Sequence, residues 1–168
     1  AEGRPHLDIA RSVHFALQVL RGLQVAHAAN IVHRDMKPSN VFIVTKDGEA
    51  DFVKLVDFGI SKVQQPGNAA LTQANSALGT PLYMSPEQAK SPRDVDLRSD
   101  IYSVGVIVYE MLTGRTPFTC ESGELTEILF KIFTADPPPI ATLRPDIPPA
   151  LAAVIHKALV REPERRYS

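Results

Sequence analysis

A single cysteine, Cys120, leaves this 168-residue chain without any internal disulfide and fits a reducing, cytoplasmic setting. An excess of charge of either sign is missing too. Eighteen Lys and Arg stand against nineteen Asp and Glu, so there is no electrostatic footprint for nucleic acid or an acidic membrane surface. Long apolar runs are also lacking. The longest, "IYSVGVIVY" at 101–109, falls far short of the ~20 residues that a membrane span needs. The opening "AEGRPHLD" has neither the basic nor the apolar region of a signal peptide. His6, His14, His27, His33 and His156 show no zinc spacing with one another or with Cys120, and they read as ordinary surface or core residues. No internal repeat or low-complexity segment appears. These absences leave one soluble domain of ordinary composition, long enough to bury a real core.

The first element present is helical. Ile9, Val13, Ala16, Leu17, Leu20 and Leu23 recur at three- and four-residue steps, which predicts an amphipathic helix over 8–28, with Asp8 as N-cap and Asn30 as its stop. The period then changes. "VFIVT" and "FVKLVD", separated by "KDGEAD", predict a hairpin within 41–57 whose Asp-Gly makes the turn. Such a hairpin brings Asn40 and Asp57 back to the same end. Residues 60–85 show no periodicity and read as a long functional loop. "SPEQAKS" places Pro86 in the first turn of a short helix. Residues 98–113 are apolar on nearly every side, which predicts a central buried helix. Two more helices are expected over 121–134 and 149–160. The six prolines of "ADPPPIATLRPDIPP", 135–149, predict an extended linker between them. The expected whole is mostly α with one β-hairpin and one long loop.

The chemistry concentrates in "VHRDMKPSNVFIV", 32–44. Here Asp35, Lys37 and Asn40 interrupt an apolar run, and Pro38 argues against a helix through them. Asn40 and Asp57 offer one neutral and one charged oxygen of the kind Mg²⁺ prefers. Two protein ligands are too few for a structural cage, but they suit an ion that shares its shell with phosphates. Lys37 is a point charge able to neutralise a phosphoryl group in transfer. Asp35 has no salt-bridge role evident from its spacing. An ordinary carboxylate titrates near ~4, which makes it a feeble base but a good acceptor for aligning a hydroxyl. Together these groups suit phosphoryl transfer to an alcohol, a reaction dominated by positioning and charge neutralisation. A solvated surface Asp–Lys pair is the bland alternative. If each fixed position matches by chance about one time in twenty, "HRDxKPxN" arises with odds of about 10⁻⁶ in a chain this long. "DFG" at 57–59 and "SPE" at 85–87 then make coincidence untenable.

These segments resemble the C-terminal lobe of a eukaryotic-type serine/threonine protein kinase, most like those encoded by bacteria. The resemblance covers nearly the whole chain: "HRDMKPSN", "DFG", "GTPLYMSPE" at 79–87, "RSDIYSVGVIVYEMLTGRTPF" at 98–118 and "REPERRYS" at the end. It implies an α+β, protein-kinase-like fold of which residues 1–168 are the mainly helical C-lobe, with catalytic loop 33–40 and activation segment 57–87. It implies ATP and Mg²⁺ as cofactors and Ser/Thr-bearing proteins as substrates.

Carried over by position, Asp35 accepts or orients the substrate hydroxyl proton, and Lys37 contacts the γ-phosphate and marks the serine/threonine class. Asn40 and Asp57 hold Mg²⁺, and Phe42 lies beneath the adenine, where the family usually has a leucine-like residue. His33 and Phe58 are stacked core elements, and Gly59 gives the loop backbone its freedom. Asp100 anchors the catalytic-loop backbone, and Glu87 pairs with Arg166. Arg34 meets a phosphate on the long loop, where Thr72 and Ser76 are the candidate acceptors; Thr80 instead bonds Asp35 or Lys37. Ser39 departs from the glutamate carried there by kinases that prefer arginine near the target, which argues against a strong basic preference through this residue.

The resemblance also implies an upper lobe that these residues do not contain. None of the nine glycines forms G-x-G-x-x-G, and Lys37 is the first lysine. The N-lobe is therefore expected upstream, in a parent enzyme that family members in bacteria often tether to the membrane by a later segment. The competing expectation is a catalytically inert fragment that binds a peptide or protein at most. Apolar surface normally covered by the upper lobe predicts poor solubility for the 168 residues alone.

Overall fold

The computed structural model describes residues 5–58, 81–91, 95–120, 122 and 124–168. Within them the chain is mostly helical, with one two-stranded antiparallel sheet. Thr72, Ser76 and Thr80, with Gly59 and most of the expected long loop, lie outside the described residues.

The organising element is the helix Arg98–Thr113, here α3, counted after α1 (Ile9–Ala28) and α2 (Pro86–Lys90). As its all-round apolar pattern requires, α3 is buried on most sides, with Tyr109 and Leu112 wholly inaccessible. Each such side chain contributes about 1.5–3 kcal/mol by leaving water. The helix ends at Gly114, whose φ of 75° closes it in the left-handed conformation that glycine adopts without strain.

Helix α1 starts where Asp8 caps it, the carboxylate accepting from the Arg11 N–H at 3.1 Å, an interaction worth about 1 kcal/mol. Asn30 takes a left-handed φ of 58° just past its end. The buried stripe of α1 is Ser12, Phe15, Val19 and Leu23. Of the stripe expected from periodicity, only Leu23 is fully buried, while Leu17 and Leu20 are 50% and 37% exposed. Two apolar stripes share this helix, and its packing on α3 and on the hairpin selects between them.

The hairpin pairs β1 (Val41–Lys46) with β2 (Glu49–Leu55). Asp47 and Gly48, at φ 52° and 84°, make the two-residue turn whose twist suits paired strands. The strands run closer to this turn than "VFIVT" and "FVKLVD" suggest. Gln18 fastens β2 to α1, donating from Nε2 to the Asp51 carbonyl at 2.8 Å and accepting the Val53 N–H at 2.9 Å.

Helix α4 is Leu125–Thr134, starting later than the expected 121, and its Ile128 and Ile132 pack with Phe118 in a small second core. Ahead of the helix, the Ser122 N–H and hydroxyl both donate to the Glu127 carboxylate, at 2.9 and 2.6 Å. The proline-rich stretch is not wholly extended. Ile140–Leu143 forms a one-turn helix, α5, because Ile140 is fully buried in the main core. Helix α6, Pro149–Ala158, then crosses α3. Gly105 permits that approach, since a Cβ there would lie 3.1 Å from Ala158 Cβ.

Candidate active site

Met36 is buried in the core, and Lys37 has extended backbone, φ −159° and ψ 162°. Extended chain places alternate side chains on one face, so Asp35 and Lys37 stand together on the side opposite Met36. Their ion pair, Lys37 Nζ to Asp35 Oδ2 at 3.0 Å, corrects the expectation that Asp35 has no such role. A single 3₁₀ turn, Pro38–Asn40, follows. Proline starts it at no cost, because the first N–H of a helix has no intrahelical partner anyway; Pro38 excludes only a helix running through it. The turn swings Asn40 back, and its Nδ2 donates to the Asp35 carbonyl at 2.8 Å and reaches Asp35 Oδ2 at 3.4 Å. Lys37 and Asn40 thus converge on one carboxylate oxygen.

The hairpin completes the grouping. Val41 pairs with Leu55, and the Val56 N–H donates to the Asn40 carbonyl at 3.1 Å. Asp57 therefore follows directly beside Asn40, exposed, with a left-handed φ of 55°. Asn40 is buried, and its Nδ2 is committed to Asp35, which leaves Oδ1 as the atom able to ligate. One amide oxygen and one exposed carboxylate at the same strand end fit a hard cation shared with phosphate. Among the described residues no three His, Cys, Asp or Glu side chains gather as a metal cage. Phe42 and Ile43 of β1 are each 52% exposed beside this end.

The loop before Asp35 is held by hydrogen bonds from distant elements. Asp100, at the start of α3 and 1% exposed, accepts the His33 N–H through Oδ2 at 2.8 Å and the Arg34 N–H through Oδ1 at 2.9 Å. His27, in the last turn of α1, donates from Nε2 to the same Oδ2 at 2.8 Å. The buried His33 ring accepts the Asp35 N–H at Nδ1, 3.3 Å, and faces the Val56 carbonyl with Nε2 at 3.0 Å. Those partners select the neutral tautomer with its proton on Nε2. The ring also packs on Phe58, centroids 4.5 Å apart.

Behind the site, Arg166 grips Glu87 with two nitrogens at 2.6 and 2.9 Å and also donates to the carbonyls of Arg98, Val160 and Arg161. The Ser99 hydroxyl donates to the same Glu87 carboxylate at 2.6 Å. Burial by itself pushes this carboxyl up; the hydrogen bonds from Arg166 and Ser99 and the charge of Arg166 outweigh it and hold Glu87 below its ordinary value. Arg166 further stacks 4.9 Å from the Tyr102 ring centroid.

The sequence-predicted residues Asp35, Lys37, Asn40 and Asp57 come together, as do the pairs His33–Phe58 and Glu87–Arg166. Arg34 flanks Asp35 with a left-handed φ of 64°. Sequence reasoning missed His27, Ser99 and Gln88. No periodic signal marks the first two. Gln88 did carry one, the Ser-x-x-Gln spacing of a capping box: the Ser85 hydroxyl accepts the Gln88 N–H at 3.3 Å, and Gln88 Oε1 accepts the Ser85 N–H at 3.0 Å.

Known proteins resemble this chain over most of its length. The Protein kinase domain family is matched over residues 3–168. The serine/threonine-protein kinase pkn3 of Myxococcus xanthus is 44% identical over 164 residues, 95% of this chain and 29% of the relative. Pkn1 of the same organism is 46% identical over 151 residues, 90% of this chain and 21% of the relative. The serine/threonine-protein kinase PknL of Mycobacterium tuberculosis is 43% identical over 150 residues, 89% of this chain and 35% of the relative. The chain thus spans roughly a fifth to a third of the length of these curated relatives. The chain therefore belongs to the protein kinase domain family and is related to bacterial serine/threonine-protein kinases.

Proposed function

We propose that residues 1–168 form the C-terminal lobe of a serine/threonine protein kinase domain, with catalytic loop 33–40 and activation segment 57–87. The parent protein moves the γ-phosphoryl group of ATP to Ser or Thr hydroxyls of proteins. The observation that carries this reading is the convergence of Lys37 and Asn40 on Asp35 Oδ2, with Asp57 returned to the same place by the hairpin.

Asp35 accepts the proton as the substrate oxygen forms its bond to phosphorus and the bond from phosphorus to the ADP oxygen breaks. Lys37, already beside that carboxylate, offsets charge on the phosphoryl oxygens. Asn40 and Asp57 would hold Mg²⁺, which supplies charge neutralisation on the nucleotide phosphates. Phe42 offers exposed apolar surface for the adenine. Glu87 and Arg166 seat the segment that carries the substrate, and Arg34 is the residue that would meet a phosphate on Thr72 or Ser76. Among the described residues no helix is long and apolar enough to cross a membrane. The use of ATP places the proposed chemistry in the cytoplasm, whether or not a further segment tethers the parent to a membrane.

The test is phosphorylation of a generic protein substrate by the full-length parent. Asp35→Asn should lower the rate at least ~100-fold, and an undiminished rate would remove Asp35 from the chemistry. A second reading, an inert lobe that binds a peptide or protein, is favoured by one observation: these residues include no G-x-G-x-x-G and no lysine before Lys37. It applies to the 168 residues alone and is compatible with an active parent.

A further inference from the structure

The peptide joining Arg34 to Asp35 has both of its polar groups occupied. Its N–H donates to His33 Nδ1 at 3.3 Å, and its carbonyl accepts from Gln88 Nε2 at 2.9 Å. Arg34 itself sits at φ 64°, a conformation costing a non-glycine residue roughly 1–2 kcal/mol and kept only where surroundings over-determine it. Here they do, with Asp100 on the Arg34 N–H and Gln88 on its carbonyl.

The Gln88 amide is also oriented without ambiguity. Its Oε1 takes the Ser85 N–H and hydroxyl, each at 3.0 Å, and its Nε2 faces a carbonyl. A flipped amide would set donor against donor and acceptor against acceptor. Gln88 thus joins the start of α2 to the catalytic loop, and its neighbour Glu87 locks α2 to Arg166.

We infer that Gln88 is a positioning residue for Asp35: its side-chain N–H fixes the peptide plane from which Asp35 projects, so the seat of α2 sets the aim of the carboxylate. The inference rests on the reading of Asp35 as proton acceptor.

Gln88→Glu separates this role from capping. A carboxylate still accepts from Ser85, but its other oxygen faces the Arg34 carbonyl with no proton to give. In the full-length parent at pH 8, kcat should fall about ten- to hundredfold with KM for ATP and for a peptide substrate unchanged. Lowering the pH protonates the introduced carboxylate and restores the donor, so kcat relative to wild type should recover. Gln88→Met, of similar shape, should lose kcat without that recovery. Hydrogen exchange of residues 33–40 should quicken in both variants, and that of α1 should not. Wild-type kcat in Gln88→Glu, the same pH-independent loss in both variants, or unchanged exchange at 33–40 would each overturn the positioning role. An inactive wild-type parent would count against the proposed function alone, and the exchange measurement would still decide the role of Gln88.

Discussion

Asp100 and Arg34 meet through a carboxylate and a backbone N–H, Oδ1 to N at 2.9 Å, with the carboxylate 1% exposed. The other oxygen holds the His33 N–H and His27. A buried acid is tolerable only when its acceptor sites are filled in this way. The chain exploits that constraint to tie the site loop to the most deeply buried helix.

Asp100→Asn tests the tie. In either amide orientation the NH₂ group faces a backbone N–H, of Arg34 or of His33, and one buried donor is left unsatisfied. The expected loss is about 2–3 kcal/mol, read as a lowered urea midpoint with unchanged slope. Stability within a few tenths of wild type would show that the loop is held otherwise.

Glu87 predicts a pH dependence. Its folded-state value is held below the ordinary one, so its contribution is complete above the unfolded value, about 4.5. It is lost as pH falls from there through the folded value. Glu87→Gln should flatten that part of the stability profile. Arg166→Ala, which strands a largely buried carboxylate, should cost about 3–5 kcal/mol at pH 7. The cost should shrink at pH 4, as Glu87 takes up a proton. An equal cost at both pH values would mean that Arg166 acts through packing on Tyr102 and its carbonyl bonds rather than through charge.

Gly105→Ala sets two effects against each other. Alanine favours a helix by about 1 kcal/mol over glycine. Its Cβ, however, would press on Ala158 Cβ at 3.1 Å and on Leu159 Cδ2 at 3.2 Å, and overpacking costs about 1–3 kcal/mol. Because Ala158 Cβ is fixed to the backbone of α6, the clash should win, by about 1 kcal/mol. Thermal melting checks the sign; a raised midpoint would show that α6 moves aside freely.

The 168 residues by themselves should show negligible Mg-ATP-dependent phosphorylation, since no G-x-G-x-x-G or earlier lysine is present to grip the nucleotide. Robust activity of this polypeptide, abolished by Asp35→Asn, would overturn that expectation.

Local order was legible in the sequence because its causes are local. Asp8 and the apolar period specify α1, Asp47-Gly48 specifies the hairpin, and together with the pairing of Val41 and Leu55 this brings Asn40 and Asp57 together. The motif residues were legible through resemblance, which also anticipated the pairing of Glu87 with Arg166. The buried face of α1 was not legible, because two apolar stripes compete and only the neighbouring α3 and hairpin choose Phe15 and Val19 over Leu17 and Leu20. The Asp35–Lys37 pair was missed because it depends on extended backbone that buries Met36 between them. Composition, periodicity and motif spacing by themselves therefore determined most of the elements and, with the resemblance, the residue types of the candidate site, but not the helical turn Ile140–Leu143, which forms where Ile140 enters the core. Which oxygen each donor reaches, and the left-handed turn that aims Asp35, were decided by the tertiary structure. Asp100 and Gln88, which bond the loop, and His27, which bonds Asp100, lie on three separate helices that only the folded core brings together.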